Sequence, residues 1–212
     1  MTRLPSGLYG MADATFGDPV VQAHRLVAAG CRVLQLRCKD WSSRDRFQAA
    51  SAIIPLTRAA DAVLILNDDV ACAAAVGAGG VHLGQGDGAI GHARAALPAG
   101  ALVGRSTHDH TEIEGAIVEG ADYIGFGPMF TTSTKETGFS AQGVQRLATA
   151  CQTFQGPVVA IGGITPDRVA AIARAGAHGW AVGSGIWLAP DPGAALAGLL
   201  ASNAVSKGDR GP

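Results

Sequence analysis

Short apolar runs alternate with longer segments of helical pattern along the whole chain. Eight of these runs have the length of buried β-strands. They lie at residues 8–11, 32–38, 62–66, 80–83, 101–104, 122–126, 157–161 and 180–182. The segments between them carry helix start and stop signals, such as Asp18 before the first helix and Gly30 after it. They predict helices at about 18–29, 42–60, 68–76, 89–96, 109–119, 141–151, 165–176 and 192–201.

Eight strand–helix units in about 200 residues are typical of a (β/α)8 barrel, so the pattern predicts an α/β protein with the TIM-barrel fold. The competing architecture is a doubly wound sheet, which favours a glycine-rich fingerprint after its first strand. The first turn, Gly10-Met11-Ala12-Asp13, does not match that fingerprint. A G-x-G-x-x-A string at 84–89 follows the fourth strand without the expected context, and we interpret it as chance.

The composition agrees with one domain whose strands are buried on both faces. The chain has 212 residues, of which 48% are hydrophobic, only 16% are charged and 30 are glycines. Few charges and many small residues suit strands that are covered by helices on one side and packed inside a barrel on the other. We expect a single catalytic barrel domain at 1–205 and a disordered tail at 206–212.

The charge, the apolar runs and the cysteine spacing give no sign of nucleic-acid binding, membrane association, secretion or a zinc site. The net charge of −1 gives no reason to expect nucleic acid or an anionic membrane surface. No apolar run approaches the ~18 residues of a membrane span, and residues 1–14 lack the apolar core of a signal peptide. The four cysteines are scattered without C-x-x-C spacing, which indicates neither a zinc site nor a disulfide framework. We therefore expect a cytoplasmic protein; the oligomeric state stays open, and a homo-oligomer is compatible with the sequence.

In such barrels the chemistry lies at the carboxyl ends of the strands and in the loops that follow. The second strand ends in Gln35-Leu36-Arg37-Cys38-Lys39. Because side chains alternate between the two faces of a strand, Gln35, Arg37 and Lys39 should share the inner face. An amide and two cations at this position suit a phosphorylated substrate. The alternative is a strand end that is ion-paired with carboxylates of neighbouring strands.

Two aspartates follow neighbouring strands. Asp68 comes after the third strand and Asp87 after the fourth, so we expect both at one rim. Their repulsion would favour a shared divalent cation, and Mg²⁺ binds one or two carboxylates together with phosphate oxygens. The alternative is that Asp68 or Asp69 only caps the third helix. His82, inside the fourth strand, is interpreted as a hydrogen-bonded core residue rather than a ligand.

Hydroxyl side chains follow the fifth and sixth strands. Ser106 lies after the fifth strand and can donate to a phosphate or diphosphate. The sixth strand breaks at Gly127-Pro128 and leads to Thr132, Thr134 and Lys135, which offer hydroxyl donors and one cation to an anion. The alternative is a polar surface loop without a ligand.

Glycine-rich turns follow the last two strands. Gly162-Gly163 comes after the seventh strand and Gly183-Ser184-Gly185 after the eighth. Glycines at these places allow backbone N–H groups to approach a phosphate closely, although they also occur simply as turns. Together with the diphosphate groups, this second anion site suggests transfer between two phosphorylated substrates, with diphosphate as the leaving group.

These residues resemble those of thiamine-phosphate synthases over nearly the whole chain, from about Leu8 to Ile186. The resemblance depends on the motifs at 35–39, 67–68, 80–87, 106–108, 125–128, 132–135 and 161–164. It implies a Mg²⁺-dependent transferase of thiamine biosynthesis that joins aminopyrimidine methyl diphosphate to thiazole phosphate, with or without a carboxylate on the thiazole. It also implies that diphosphate leaves first and that the thiazole nitrogen captures the resulting cation.

The resemblance also implies residue roles. Gln35 to Lys39, Asn67, Ser106 and Lys135 would contact the pyrimidine diphosphate, with catalytic roles for Lys135, Ser106 and Arg37. Asp68 and Asp87 would hold the metal ion. The thiazole phosphate would contact Thr132, Thr134, Gly163, Gly183 and Ser184.

Three other functions compete with the synthase. A related thiazole tautomerase should lack both the Thr-x-Thr-Lys segment and the second aspartate. A non-catalytic protein that binds thiazole or thiamine phosphates has no need of two metal-binding carboxylates. A phosphate-binding barrel isomerase of amino-acid biosynthesis does not need the pair Asp68 and Asp87 either.

Overall fold

The computed structural model describes residues 3–131 and 139–208 and contains a closed barrel of eight parallel strands, which confirms the predicted TIM-barrel class. Each strand pairs with its neighbours in chain order, and the first strand closes on the eighth. The strands are β1 Gly7–Asp13, β2 Val33–Arg37, β3 Val63–Asn67, β4 Gly80–Leu83, β5 Leu102–Thr107, β6 Tyr123–Phe126, β7 Val158–Ile161 and β8 Gly179–Val182.

Helices follow the strands and form the outer layer. A short 3₁₀ helix at Ala14–Phe16 comes directly after β1. The α-helices are α1 Pro19–Ala28, α2 Ser43–Ala59, α3 Val70–Val76, α4 Ile90–Ala96, α5 His110–Glu119, α6 Gly143–Thr153, α7 Pro166–Arg174, α8 Ser184–Trp187 and α9 Pro192–Gly208.

The boundaries differ from the sequence prediction in three places that matter. β5 continues to Thr107 rather than ending at Gly104, so Ser106 lies inside the strand. The four-residue helix α8 after β8 was not predicted. Helix α9 is described to Gly208 and therefore enters the segment 206–212 that was expected to be a disordered tail; residues 209–212 lie outside the described residues.

Polar side chains start several helices as the sequence pattern predicts. Asp18, Ser42 and Asp109 each accept a hydrogen bond from a backbone N–H in the first helical turn. Asp69 does the same at α3 and accepts from the Cys72 N–H at 2.9 Å. Because Asp69 caps this helix, α3 begins at Val70 and the side chain of Asp68 is left for another role.

The core has two layers that follow the alternation along the strands. The large outer layer lies between the strands and the helices. The smaller inner layer fills the barrel and consists of Leu4, Tyr9, Met11, Val33, Ile65, Leu102, Tyr123, Val159 and Ala181. Above this inner plug, at the carboxyl ends of the strands, polar side chains replace the apolar ones.

Among the described residues, no helix has both the length and the apolar content needed to cross a membrane.

Candidate active site

A cavity of about 530 Å³ opens at the carboxyl ends of the strands. Every predicted site residue within the described part of the chain lines it. These residues are Gln35, Arg37, Lys39, Asn67, Asp68, Asp87, Ser106, Gly163, Gly183 and Ser184. The remaining three predicted residues, Thr132, Thr134 and Lys135, lie outside the described residues.

The end of β2 presents its polar face to this cavity, as the period of two predicts. Gln35, Arg37 and Lys39 line the cavity, whereas Leu36 and Cys38 are buried in the outer core layer. The alternative of an ion-paired strand end is also partly realised. Arg37 Nη1 lies 2.7 Å from Asp13 Oδ2, and Lys39 Nζ lies 3.8 Å from Asp68 Oδ2.

Asp13 holds Arg37 in a defined place. The Asp13 side chain is buried and also accepts a hydrogen bond from the Thr15 N–H at 2.9 Å. The Asp13 backbone N–H donates to Gln22 Oε1 at 2.7 Å. A guanidinium paired with a fixed carboxylate keeps its remaining donors in a known direction, which favours a bound anion.

Asp68 and Asp87 meet at the rim, where their carboxyl groups are hydrogen-bonded to each other. Asp68 has a left-handed backbone with φ of 61°, and its N–H donates to the His82 carbonyl at 2.9 Å. Such a conformation is unusual for a residue other than glycine and is often found at functional sites. It directs Asp68 toward β4, and the Asn67 side-chain amide donates to its Oδ2.

The two carboxyl groups share one proton unequally. Burial, together with the hydrogen bond and the charge of Asp87, raises the pKa of Asp68 to about 6. Burial also acts against ionisation of Asp87, but hydrogen bonds from Asp68 and from the Gly84 N–H outweigh it and lower the pKa of Asp87. As the pH rises through about 6, the pair therefore changes from one negative charge to two.

The turn that carries Asp87 is tight. The Gly84 N–H donates to Asp87 Oδ2 at 2.7 Å, and the Asp87 N–H returns a bond to the Gly84 carbonyl at 3.2 Å. A Cβ atom at Gly84 would lie only 2.7 Å from Asp87 Oδ2. A side chain at Gly84 would therefore displace the Asp87 carboxylate from the Gly84 N–H.

Arg105 supports this turn from below. Its buried guanidinium on β5 donates to the carbonyls of Gly84 and Gly88 at 2.7 and 2.8 Å, and it pairs with Glu119 Oε2 at 2.6 Å. Arg105 thus holds both ends of the segment that contains Asp87. Arg105 belongs to no motif in the sequence, and its role follows only from these contacts.

His82 and Ser106 lie on the floor of the cavity. His82 Nε2 lies 3.0 Å from Ser106 Oγ, and His82 Nδ1 lies 3.1 Å from the Tyr123 hydroxyl. This confirms that His82 is hydrogen-bonded, although it lines the cavity as well.

The glycine turn after β7 packs against the residues that follow β6. Gly162 and Gly163 have φ values of 97° and 65°, and a Cβ on Gly163 would lie 2.9 Å from Phe130 Cβ. Arg168 on α7 donates to the Gly163 carbonyl, and its guanidinium carbon lies 4.4 Å from the centre of the Phe130 ring. Arg168 therefore fixes the spacing between the two loops, and it also lines the cavity.

Thr131 lines the cavity at one end of the undescribed segment, and Phe139 stacks on His108 at the other, with ring centres 4.1 Å apart. His108 is half-buried and hydrogen-bonded to Glu112. It lies between the end of β5 and the start of α5.

This donor set fits a divalent cation bound with the help of a substrate. Within residues 3–131 and 139–208, no group of three or more histidine, cysteine, aspartate or glutamate side chains could hold a metal ion by itself. Two adjacent carboxylates that repel each other when both are ionised fit Mg²⁺, which completes its shell with water and phosphate oxygens.

Comparisons with known proteins agree on one family. The model of a family described as Thiamine monophosphate synthase matches residues 8–186. A thiamine-phosphate synthase of Anaeromyxobacter dehalogenans is 38% identical over 205 residues, which cover 97% of this chain and 91% of that protein. One from Laribacter hongkongensis is 41% identical over 199 residues, with 94% and 90% covered. The solved structure of a thiamine phosphate pyrophosphorylase from Pyrococcus furiosus superposes with a TM-score of 0.87 at 30% identity, covering 94% of this chain and 96% of that one.

Proposed function

The chain belongs to the thiamine monophosphate synthase family, and we propose that it joins aminopyrimidine methyl diphosphate to thiazole phosphate, releasing diphosphate and forming thiamine phosphate. The observation that carries this proposal is the meeting of Asp68 and Asp87 at the rim of a cavity that also presents Arg37 and Ser106. A site for a departing diphosphate needs this combination of cations, a hydroxyl donor and paired carboxylates.

The reaction exchanges one bond for another at the methylene carbon of the pyrimidine. The carbon–oxygen bond breaks, and its electron pair leaves with the diphosphate. The ring-stabilised cation that remains is captured by the lone pair of the thiazole nitrogen, which forms the new carbon–nitrogen bond. No proton has to be removed for either step, so the site needs groups that stabilise departing negative charge more than it needs a general base.

The departing charge would meet the residues on β2 and β5. Arg37 is oriented by Asp13 at 2.7 Å, and Ser106 is held by His82 at 3.0 Å. Groups that are already oriented stabilise developing charge without a further cost of reorganisation. Lys39 and Asn67 also line the cavity, and we place the diphosphate among these four residues. The sequence motif assigns Lys135, which lies outside the described residues, to the same ligand.

Asp68 and Asp87 are the residues that would hold Mg²⁺, which would supply positive charge to the diphosphate oxygens. Both carboxylates must be ionised for this role. The pKa of Asp68, raised to about 6 by its burial and by Asp87, means that without a cation this carboxyl group is protonated only below about pH 6.

We place the thiazole phosphate at the opposite side of the cavity, on the turns that follow β7 and β8. Gly163, Gly183 and Ser184 line this side, and glycine turns allow backbone N–H groups to approach a phosphate. From the sequence motif we also assign Thr132 and Thr134 to the thiazole phosphate; both lie outside the described residues.

The tautomerase alternative is not favoured. Asp87, which that alternative does not require, is held in place by Gly84 and hydrogen-bonded to Asp68. The Thr132-Ser133-Thr134-Lys135 segment is present in the sequence as well.

The test is to incubate the protein with both phosphorylated substrates and Mg²⁺ and to detect thiamine phosphate after oxidation to its fluorescent product. We expect product only when both substrates and the metal are present. Product formation in the absence of thiazole phosphate would indicate contamination, and no product with any divalent metal would contradict the proposal.

A further inference from the structure

Five polar side chains form one continuous hydrogen-bonded chain across the floor of the cavity. Gln35 Nε2 lies 2.9 Å from the Tyr9 hydroxyl, which lies 3.0 Å from the Tyr123 hydroxyl. Tyr123 then contacts His82 Nδ1 at 3.1 Å, and His82 Nε2 contacts Ser106 Oγ at 3.0 Å. The chain joins β2 to β5 through β1, β6 and β4, and both of its ends line the cavity.

The two tyrosines at its centre are buried, and the Tyr123 ring is closely fitted against β5. Tyr9 is 4% exposed and Tyr123 is 1% exposed. A Cβ atom at Gly104 would lie 2.2 Å from the Tyr123 ring, and one at Gly125 would lie 3.2 Å from His82 Cε1. The Tyr123 ring thus occupies space that only glycine leaves open on β5, and the His82 ring lies close against β6 at Gly125. Burial raises the pKa of both tyrosines well above the ordinary value, so they remain neutral hydroxyls.

The number of protons that each side chain can donate fixes the direction of these hydrogen bonds. A tyrosine hydroxyl has one proton to donate. Because the Gln35 amide donates to Tyr9, the Tyr9 proton is left for Tyr123, and the Tyr123 proton is left for His82 Nδ1. His82 must then carry its own proton on Nε2 and donate it to Ser106 Oγ. The Ser106 proton is thereby directed to a third group.

We propose that Tyr9, Tyr123 and His82 are positioning residues that set the hydrogen-bonding polarity of the two rim groups, making Ser106 a donor and leaving the Gln35 carbonyl oxygen as an acceptor. A ligand recognised in this way carries an anionic oxygen at Ser106 and an N–H group at Gln35. That this ligand is the aminopyrimidine diphosphate rests on the proposed function.

The opposite polarity has a different and measurable consequence. It requires the Gln35 amide to be turned, so that its oxygen accepts from Tyr9, and it places the His82 proton on Nδ1. Ser106 would then donate to His82 and offer only lone pairs to the cavity, which would repel an anion. The tautomer of His82 therefore reports the direction of the whole chain.

The first measurement needs no turnover. ¹⁵N-histidine-labelled protein is examined by long-range ¹H–¹⁵N correlation, and His82→Gln identifies the His82 signals by their loss. We expect a neutral ring protonated on Nε2 in the unmodified protein, and loss of this single tautomer in Tyr123→Phe. A ring protonated on Nδ1, or a Tyr123→Phe spectrum unchanged at His82, would overturn the inference.

The second measurement is a double-mutant cycle on turnover, with Tyr123→Phe and Ser106→Ala made singly and together. If Tyr123 acts through Ser106, Tyr123→Phe lowers kcat/KM for the pyrimidine diphosphate by about three- to tenfold alone but has no further effect in the Ser106→Ala background. Equal effects in both backgrounds would mean that the tyrosine has only a structural role. If the unmodified protein makes no thiamine phosphate, the proposed function is contradicted. The tautomer of His82 then tests the direction of the hydrogen bonds by itself.

Discussion

The Asp68 carboxyl group is hydrogen-bonded to that of Asp87 across the ends of β3 and β4. Neither residue belongs to a helix or strand, and each is held by backbone hydrogen bonds. The Asp68 N–H donates to the His82 carbonyl at 2.9 Å, and the Gly84 N–H donates to Asp87 at 2.7 Å. The fold thus holds two acidic groups close together, which costs stability whenever both are ionised.

Asp68→Asn should make the metal-free protein more stable at pH 8. Burial and Asp87 raise the pKa of Asp68 to about 6, so above that pH the folded protein must ionise Asp68 unfavourably. Protonated Asp68 contributes fully to the free energy of unfolding below the pKa that it has in the unfolded protein. This contribution is lost as the pH rises through its higher pKa in the folded protein. Removing the ionisation should increase the free energy of unfolding by about 1–3 kcal/mol.

Urea unfolding in EDTA at pH 8 and at pH 4 measures this effect. The gain should be present at pH 8 and largely absent at pH 4, while Mg²⁺-dependent turnover should be lost. The matched control is Glu114→Gln, a change at a carboxylate that is 62% exposed on α5. An Asp68→Asn protein that is equally or less stable at pH 8 would show that the two carboxylates do not repel.

The Mg²⁺ requirement of the unmodified protein should increase as the pH falls below about 6. A proton on Asp68 competes with the cation for the same oxygens, since Mg²⁺ binds the ionised carboxylate. The measurement is the Mg²⁺ concentration that gives half-maximal turnover between pH 5 and pH 8. We expect it to rise about tenfold for each pH unit below the pKa of Asp68. The same Mg²⁺ requirement across this range would contradict the assignment of Asp68 as a metal-binding residue.

Arg105→Met should weaken metal binding although Arg105 is not proposed to touch the metal. Its guanidinium donates to the carbonyls of Gly84 and Gly88, on both sides of Asp87, at 2.7 and 2.8 Å. Their loss should lower the free energy of unfolding by about 2 kcal/mol and raise the Mg²⁺ concentration needed for turnover.

Arg94→Met is the matched control for Arg105. Arg94 also donates to a backbone carbonyl and pairs with a carboxylate, Asp122 at 3.0 Å, but it does not hold the Asp87 turn. It should leave the Mg²⁺ requirement unchanged. If both variants shift this requirement equally, the effect comes from general destabilisation.

Arg168→Ala should act on the thiazole phosphate rather than on the diphosphate. Arg168 holds the Gly163 carbonyl and stacks on Phe130, so its loss should loosen the turn after β7. We expect KM for thiazole phosphate to rise by about three- to tenfold, equivalent to one hydrogen bond, with KM for the pyrimidine diphosphate unchanged. Arg174→Ala, an exposed change on the same helix, is the control, and an equal rise in both KM values would contradict this assignment.

The sequence was informative wherever a function depends on local pattern. The alternation at 35–39 placed Gln35 and Arg37 correctly, and strand order alone brought Asp68 and Asp87 to one rim. Which aspartate would cap α3 could not be decided, because Asp68 and Asp69 are adjacent and both are good caps. The structure decides it through the left-handed backbone of Asp68.

Contacts across the barrel interior were beyond sequence analysis. Tyr9 and Tyr123 lie 114 positions apart and meet only because the stagger of the strands brings their hydroxyls to 3.0 Å. Each appeared in the sequence as one more apolar strand residue. The roles of Thr132, Thr134 and Lys135 remain predictions, since these residues lie outside the described part of the chain.

The metal site is tested most directly by the rate at which Asp87→Ala forms thiamine phosphate, measured beside the unmodified protein over a range of Mg²⁺ concentrations. Circular dichroism and the unfolding midpoint establish that the variant is folded. We predict that the unmodified protein forms thiamine phosphate with a saturable dependence on Mg²⁺, and that Asp87→Ala is at least about 100-fold slower at every concentration, as expected when a charge-stabilising group is removed. An Asp87→Ala rate near that of the unmodified protein would contradict the metal site and would show that Asp68 and Asp87 do not act together on the departing diphosphate.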